Sequence, residues 1–270
     1  MIPDLPDSKT AVALSQSLAP ERLRRFRQAV PVGAQGPALR LYLLDSRLST
    51  AFQAMFRFAE VLLREAVHRA LSNRYSTATW YDIPAFRAVA DARVLRQVDD
   101  AAASVARRRG PAPAGDVVSR IMLGAWVQLL APGTGGCQDQ SLWYPALAAA
   151  FQAGAFPGQP RAREEVYALA QRLLWARNRS NHCEPVVFGF PLHGQMTAAG
   201  KRRRITPLQL CDDVRRLVGF IDTDLSAWLS AWNAVEELLN NELADYALAF
   251  MDSQPGVAME GRRREGQPTL

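Results

Sequence analysis

The sequence predicts an all-α protein. Apolar residues recur at helical spacing along nearly the whole chain, no segment sustains a period-two alternation bounded by turn residues, and Pro and Gly clusters punctuate the helical pattern. With 270 residues, 49% hydrophobic and 21% charged, the chain is long enough for one large domain or two small ones and can fill a core.

A short helix is expected over Ser17–Ala29 and a long one over Pro37–Asn73, where Leu41, Leu44, Leu48, Phe52, Met55, Ala59, Leu62 and Ala66 form one stripe. A third helix covers Pro84–Arg109 and ends at Gly110 and Pro111, the main internal linker. A fourth starts near Asp116 as N-cap and stops at Pro132, before a loop at Gly133–Gly136. A short helix over Gln140–Phe151 and a longer one over Arg161–Asn181 follow. Pro185, Gly189, Pro191 and Gly194 then break the chain, with Val186–Phe190 as a small extended piece and Gly194–Arg204 as a polar, basic loop.

The last helix is expected over Pro207–Phe250. Its stripe Val218, Ile221, Leu225, Trp228, Trp232, Val235 and Leu239 suits packing against another long helix, within the chain or across a dimer seam. The sequence thus reads as one helical domain over residues 1–253, with an extended elaboration over 74–135, a segment of interest at 161–185 and a C-terminal helix within 206–250. Residues 254–270, with Arg262, Arg263 and Arg264 among Gly, Gln and Pro, read as a disordered basic tail.

A pI near 9.6 and a formal charge of +6 suit a polyanionic partner. Lys9 and Lys201 are the only lysines, so the charge is carried by arginine, whose planar fork makes bidentate contacts with phosphate. The same composition follows from a GC-rich genome, so charge permits a nucleic-acid partner without requiring one. Cys137, Cys183 and Cys211 form no CxxC pair, which signals neither a zinc knuckle nor a disulfide framework. Met1–Thr10 lacks the basic start and apolar run of a signal peptide, and no stretch approaches the ~20 apolar residues of a membrane span. A soluble chain in a reducing cytoplasm, with no membrane partner, is the expectation.

Chemistry concentrates in Arg177-Asn178-Arg179-Ser180-Asn181-His182. Continuing the stripe Val166, Leu169, Ala170, Leu173, Leu174 at about 100° per residue reaches Arg177 and Asn181. A guanidinium on a burying line needs a carboxylate, such as Glu60, or an anionic ligand. Residues five apart lie about 140° apart on an ideal helix, so Arg177 and His182 share a phosphate only if the helix ends near Ser180 or a second subunit completes the site. An imidazole can move the proton of a ribose 2′-hydroxyl, a guanidinium can stabilise the charge that builds on phosphorus, and Asn178 can orient a phosphate oxygen or the histidine. The plainer reading of His182 is a surface residue at a helix end. Lys201-Arg202-Arg203-Arg204 follows the segment, as a hold on an RNA backbone or as a solvated charge run. Arg22, Arg24, Arg25 and Arg27 form a basic face on the first helix. Glu60 and Arg64, four apart, read as an architectural pair, and Trp126 and Trp143 as core.

RNRSNHCEP resembles the RNRxxHxE signature of the Abi-like (abortive infection) proteins of the HEPN ribonuclease superfamily. Upstream, Leu41-Tyr42, Arg47-Leu48-Ser49 and Phe58–Arg64 resemble that family's LY…LS…EVxLR block, and Val117-Val118, Gly124-Ala125-Trp126, Leu142-Trp143 and Phe151 its GxW…LW…F block. Similarity in order runs from about Ser17 to Pro185.

The resemblance implies a helical bundle of the HEPN type, with long antiparallel helices, that forms a homodimer pairing two motif copies. It implies a metal-independent endoribonuclease without cofactors, acting in phage defence or as the toxin of a toxin-antitoxin pair, with RNA as substrate and RNA or protein as antitoxin. In that scheme Arg177, His182 and Asn178 are catalytic, Arg179 joins Lys201, Arg202, Arg203 and Arg204 in binding RNA, and Glu184 supports the site with Glu60 and Arg64. The chain departs from the family pattern at Cys183, where many relatives have histidine, at Glu65, where they have asparagine, and at Leu43-Leu44-Asp45, where they have Tyr-x-x-Asn. A non-catalytic RNA-binding module and a helical interaction protein are the alternatives.

Overall fold

The computed structural model describes residues 7–31, 35–109, 113–132, 139–151 and 160–260. They are mostly helical, with one small sheet that the sequence reading did not anticipate. In place of one helix over Ser17–Ala29 stand α1 (Ser8–Ser17) and α2 (Pro20–Ala29), because Pro20 disfavours helical backbone at Ala19 and starts a new helix itself. The long helix is α3 (Gln35–Tyr75), and its expected stripe is buried apart from half-buried Leu62.

The third helix is divided into α4 (Pro84–Arg87) and α5 (Ala92–Arg109), Asp91 Oδ1 accepting from the Arg93 N–H at 2.7 Å where α5 begins. The fourth is divided into α6 (Ala114–Arg120) and α7 (Leu123–Leu129), and Asp116 lies in the first turn of α6 rather than at its cap. Ile121 at that break is extended, and its carbonyl accepts from Trp126 Nε1 at 3.2 Å. Around Pro145 the expected helix over Gln140–Phe151 is instead a π-type turn (Asp139–Trp143) and a 3-10 turn (Leu147–Phe151). The Gly110–Pro111 linker and the Gly133–Gly136 loop lie outside the described residues.

α8 (Pro160–Asn181) matches its expectation. The expected basic loop after it is a hairpin of β1 (Phe190–Met196) and β2 (Arg202–Ile205). The single helix over Pro207–Phe250 is four: α9 (Pro207–Ile221), α10 (Thr223–Ala231), α11 (Ala234–Leu239) and α12 (Glu242–Asp252). Asx side chains mark two of the breaks: Asp222 Oδ1 accepts from the Leu225 N–H at 2.9 Å and Asn241 Oδ1 from the Leu243 N–H at 3.0 Å. The predicted apolar seam is therefore interrupted, and Trp228 is 53% exposed against Phe58. Residues expected to begin the disordered tail instead supply β3 (Val257–Glu260); 261–270 lie outside the described residues.

Two compact units emerge, each discontinuous in sequence. The first comprises Met1–Ala54, Ala176–Asp212 and Trp232–Leu270. Its sheet has the order β1-β2-β3, β1 antiparallel to β2 (Phe190 opposite Ile205) and β2 parallel to β3 (Arg202 opposite Val257). No alternation announced these strands because FPLHGQM holds a proline and a glycine and RRRI is mostly charged. Pro191 is tolerated because β1 is an edge strand. The Thr197 N–H donates to the Lys201 carbonyl at 2.8 Å and closes the hairpin, with Gly200 at φ +71°.

Phe188 is the centre of this unit's core. Phe26 of α2 lies 5.3 Å from it and Phe250 of α12 6.1 Å, ring centre to ring centre. Gly189, at φ +75°, presses the chain against β2: a Cβ there would stand 2.5 Å from the Ile205 carbonyl oxygen, so only glycine fits. The segment that follows α8 is thereby fixed from two sides.

The second unit, Met55–Trp175 and Asp213–Ala231, contains all the described residues of the elaboration expected at 74–135. Trp80 and Trp126 are fully buried, 6.0 Å apart, and Trp80 Nε1 donates to His68 Nδ1 at 2.9 Å. Trp143 is buried and stacks on Phe151, so both expected core tryptophans are core. Arg64 pairs with Glu60 at 3.0 Å along α3, the architectural role expected of them, and Arg64 Nη1 also reaches the Ser119 carbonyl.

Candidate functional site

The motif residues lie at the C-terminal end of α8, in the first unit. Along α8 the buried line is Val166, Leu169, Ala170, Leu173, Ala176 and Ser180, so it drifts one position from the expected one. Arg177 is consequently half-buried at its flank and Asn181 is exposed. Arg177 Nη1 donates to Asn178 Oδ1 at 3.3 Å. With its amide turned to satisfy its neighbours, Asn181 Oδ1 accepts from Arg177 Nε and Nη1, both at 3.3 Å. Two asparagines thus help to hold the guanidinium through neutral acceptors, which fix its plane.

α8 ends within the motif. Asn181 is the last helical residue and His182 the cap. Cys183 takes the left-handed conformation at φ +54°, its N–H donates to the Ser180 carbonyl at 3.1 Å, and the Glu184 N–H donates to the Arg179 carbonyl at 3.0 Å. This is a Schellman termination with cysteine where glycine is usual. His182 is exposed and contributes only its backbone to the turn, donating its N–H to the Asn178 carbonyl at 2.9 Å.

A cysteine in left-handed backbone costs about 1–2 kcal/mol that glycine does not incur. Cys183→Gly is therefore expected to raise stability by about 1 kcal/mol, after the entropy that glycine adds to the unfolded chain. Urea denaturation with an unchanged m-value checks this, and a lower midpoint would contradict the account of the turn.

Hydrogen bonds, those to Asp45 buried, dock the motif turn on the rest of the unit. Ser180, 5% exposed, has its Oγ 2.6 Å from Ser49 Oγ and 3.0 Å from Gln53 Nε2, both on α3. Arg22 Nη1 of α2 donates to the Cys183 carbonyl at 2.7 Å. Past Pro185, the N–H groups of Val186 and Val187 both converge on Asp45 Oδ1, at 2.7 and 2.8 Å. Asp45 is 7% exposed, and desolvation pushes its carboxyl up to about 6, against the two N–H groups and the nearby Arg179 and Arg22, which favour the anion. Ser49, Gln53, Ser180, Arg22 and Asp45 were not assigned to the site from sequence.

The residues expected to bind RNA divide differently from the expectation. Arg179 is architectural: its Nε donates to the Pro185 carbonyl at 2.8 Å and its Nη1 meets Glu184 at 2.5 Å. Burial pulls the Arg179 guanidinium down from its ordinary value, while Glu184 holds it up. Arg204 is buried and donates to the Gly189 carbonyl at 2.7 Å and the Phe188 carbonyl at 3.2 Å, so it anchors the loop rather than facing a ligand. Arg203 pairs with Glu260 across β2 and β3. Only Lys201 and Arg202 of that run are exposed. Burial instead deepens along β2, from exposed Arg202 through half-buried Arg203 to buried Arg204, and a charge run read as one loop cannot show which of its members turn inward.

No helix among the described residues is long and apolar enough to cross a membrane. In comparison with known proteins, the chain matches no protein-family model, no curated protein and no solved structure.

Proposed function

We propose that the chain is a metal-independent endoribonuclease of the Abi-like HEPN type, cutting RNA through Arg177 and His182. The observation that supports this best is the end of α8: a guanidinium bonded to two asparagine amides stands five residues before an exposed imidazole, which sits on the turn where the helix stops. In the proposed reaction the imidazole takes the proton of a ribose 2′-hydroxyl, the 2′-oxygen forms a bond to phosphorus, and the bond to the 5′-oxygen breaks. The leaving oxygen takes a proton from water, the imidazolium returns its proton to solvent, and the products are a 2′,3′-cyclic phosphate and a 5′-hydroxyl. Arg177 neutralises the charge that builds on the equatorial oxygens, and Asn178 keeps it oriented. The proposal includes a homodimer, action in the cytoplasm in abortive phage defence or as a toxin, and an antitoxin of RNA or protein.

Purified full-length chain, incubated with labelled single-stranded RNA in excess chelator, is expected to shorten it and leave cyclic-phosphate ends, read by sequencing of the cleaved ends. Retained binding with intact RNA would replace this reading by that of an RNA-binding module. Neither binding nor cleavage would leave the helical interaction protein.

A further inference from the structure

α2 presents the basic face that its sequence predicts. It carries four arginines and one acidic residue in ten positions, burying Leu23, Phe26 and Ala29 while Arg22, Arg24, Arg25 and Arg27 are all exposed. On either side of the helix lies a concavity, of about 770 Å³ and 460 Å³. The larger is lined by Arg22, Arg24 and Arg25 and walled by Pro185 and Phe250. The smaller is lined by Arg24 and Arg27, and Glu21, Arg24 and Gln28 are common to both.

Three further observations give this surface a ligand. Its charge exceeds what its carboxylates offset: Glu21 is the one acidic residue lining either concavity, against four arginines, and burial together with the neighbouring Arg179 and Arg25 lowers the buried Arg204 to about 10, although Glu184 opposes that shift. The cations are also placed, since Arg25 sits 5.6 Å over the Phe188 ring and Arg22 is tied to the Cys183 carbonyl at 2.7 Å. Finally, Pro185 is both a wall of the larger concavity and the third residue after His182, so the concavity begins within about 11 Å of the imidazole's residue.

Resting on the nuclease reading, we propose that the α2 ridge is the path of the RNA single strand beside the scissile phosphate, its successive phosphates held by Arg22 and Arg25 on one side and by Arg24 and Arg27 on the other. A lone phosphate ester fills one concavity. The arginines between the two span about 7.5 Å along the helix axis, on both of its flanks, and only a chain of phosphates meets all of them. Such contacts are made to the backbone, so the path is indifferent to base sequence.

The test measures binding in a background that cannot cleave: full-length His182→Ala with a fluorescent single-stranded RNA, by anisotropy over a salt series. Arg24→Ser/Arg27→Ser is expected to reduce the slope of log K against log salt by about 1.4, at roughly 0.7 per phosphate released, and to weaken binding about 10- to 30-fold at 0.1 M salt for every sequence tried. Arg24→Lys/Arg27→Lys, which keeps the charge, is expected to restore the slope. An unchanged slope in the serine variant, or equal loss in the lysine variant, would overturn the proposal. So would displacement of the strand by a nucleoside monophosphate near the strand's own Kd, or by oligoglutamate at equal potency. Unmutated protein that binds with this α2-dependent slope but cuts nothing supports the path and removes the nuclease reading. Cleavage with a slope indifferent to α2 does the reverse.

Discussion

His182→Ala is expected to lower RNA cleavage by about two to four orders of magnitude, the range a positioned general base supplies, while leaving the fold and RNA affinity nearly unchanged. The expected separation of effects comes from the geometry of the helix end. His182 is exposed, and the turn that stops α8 uses only its backbone N–H, which alanine retains. The cations assigned to the strand are on α2 and at Arg177, and their task is to meet phosphate rather than to hold the imidazole. Single-turnover cleavage in excess chelator, paired with anisotropy on the same RNA and a denaturation curve, distinguishes the outcomes. A rate unaltered in the alanine variant would remove His182 from the chemistry, and with it the proposed reaction.

The helical half of this architecture was written in periodicity. The stripe from Leu41 to Ala66 and the extent of α8 follow from side-chain spacing alone, because both helices bury one face over many turns. What escaped was local competition with that spacing. Asp222 and Asn241 cap new helices inside a pattern that repeats every three and four positions through Leu239, so one apparent helix is several. The sheet escaped because β2 and β3 pair across more than fifty residues and their sequences carry no alternation. At the site, Arg177 and His182 were legible as residue types at a spacing, and the helix end between them was legible from Pro185. The supports were not: Asp45 reaches residues more than 140 positions away, and Arg204 is indistinguishable in sequence from the exposed Arg202 two positions earlier. Sequence spacing reports contacts along one element, whereas these bonds join elements that only the fold brings together.

Asp45 is where that lesson becomes a measurement. Its carboxyl titrates near 6 in the folded chain against an ordinary value of 3.8, so between about pH 4 and pH 6 the native state holds a proton that the unfolded chain has released. Stability contributed by this group is complete below pH 4 and is lost as pH rises through 6, by about 3 kcal/mol for a shift of this size. An asparagine in place of Asp45 keeps the acceptor: both N–H groups converge on the single oxygen Oδ1, which an amide also presents. Asp45→Asn is therefore expected to lack the pH dependence, its stability relative to the parent rising by about 3 kcal/mol between pH 4 and pH 7 in parallel urea titrations. Asp45→Ala leaves two buried N–H groups without a partner and is expected to cost about 4 kcal/mol at pH 4, where the parent carboxyl is protonated and the charge plays no part. If the asparagine and alanine variants were equally destabilised, the acceptor would not matter. If the asparagine variant kept the parent's pH profile, some other group would be titrating. The paired substitutions separate the two things that Asp45 does, which are to hold the Pro185–Phe188 turn beside His182 and to place a costly negative charge beneath it.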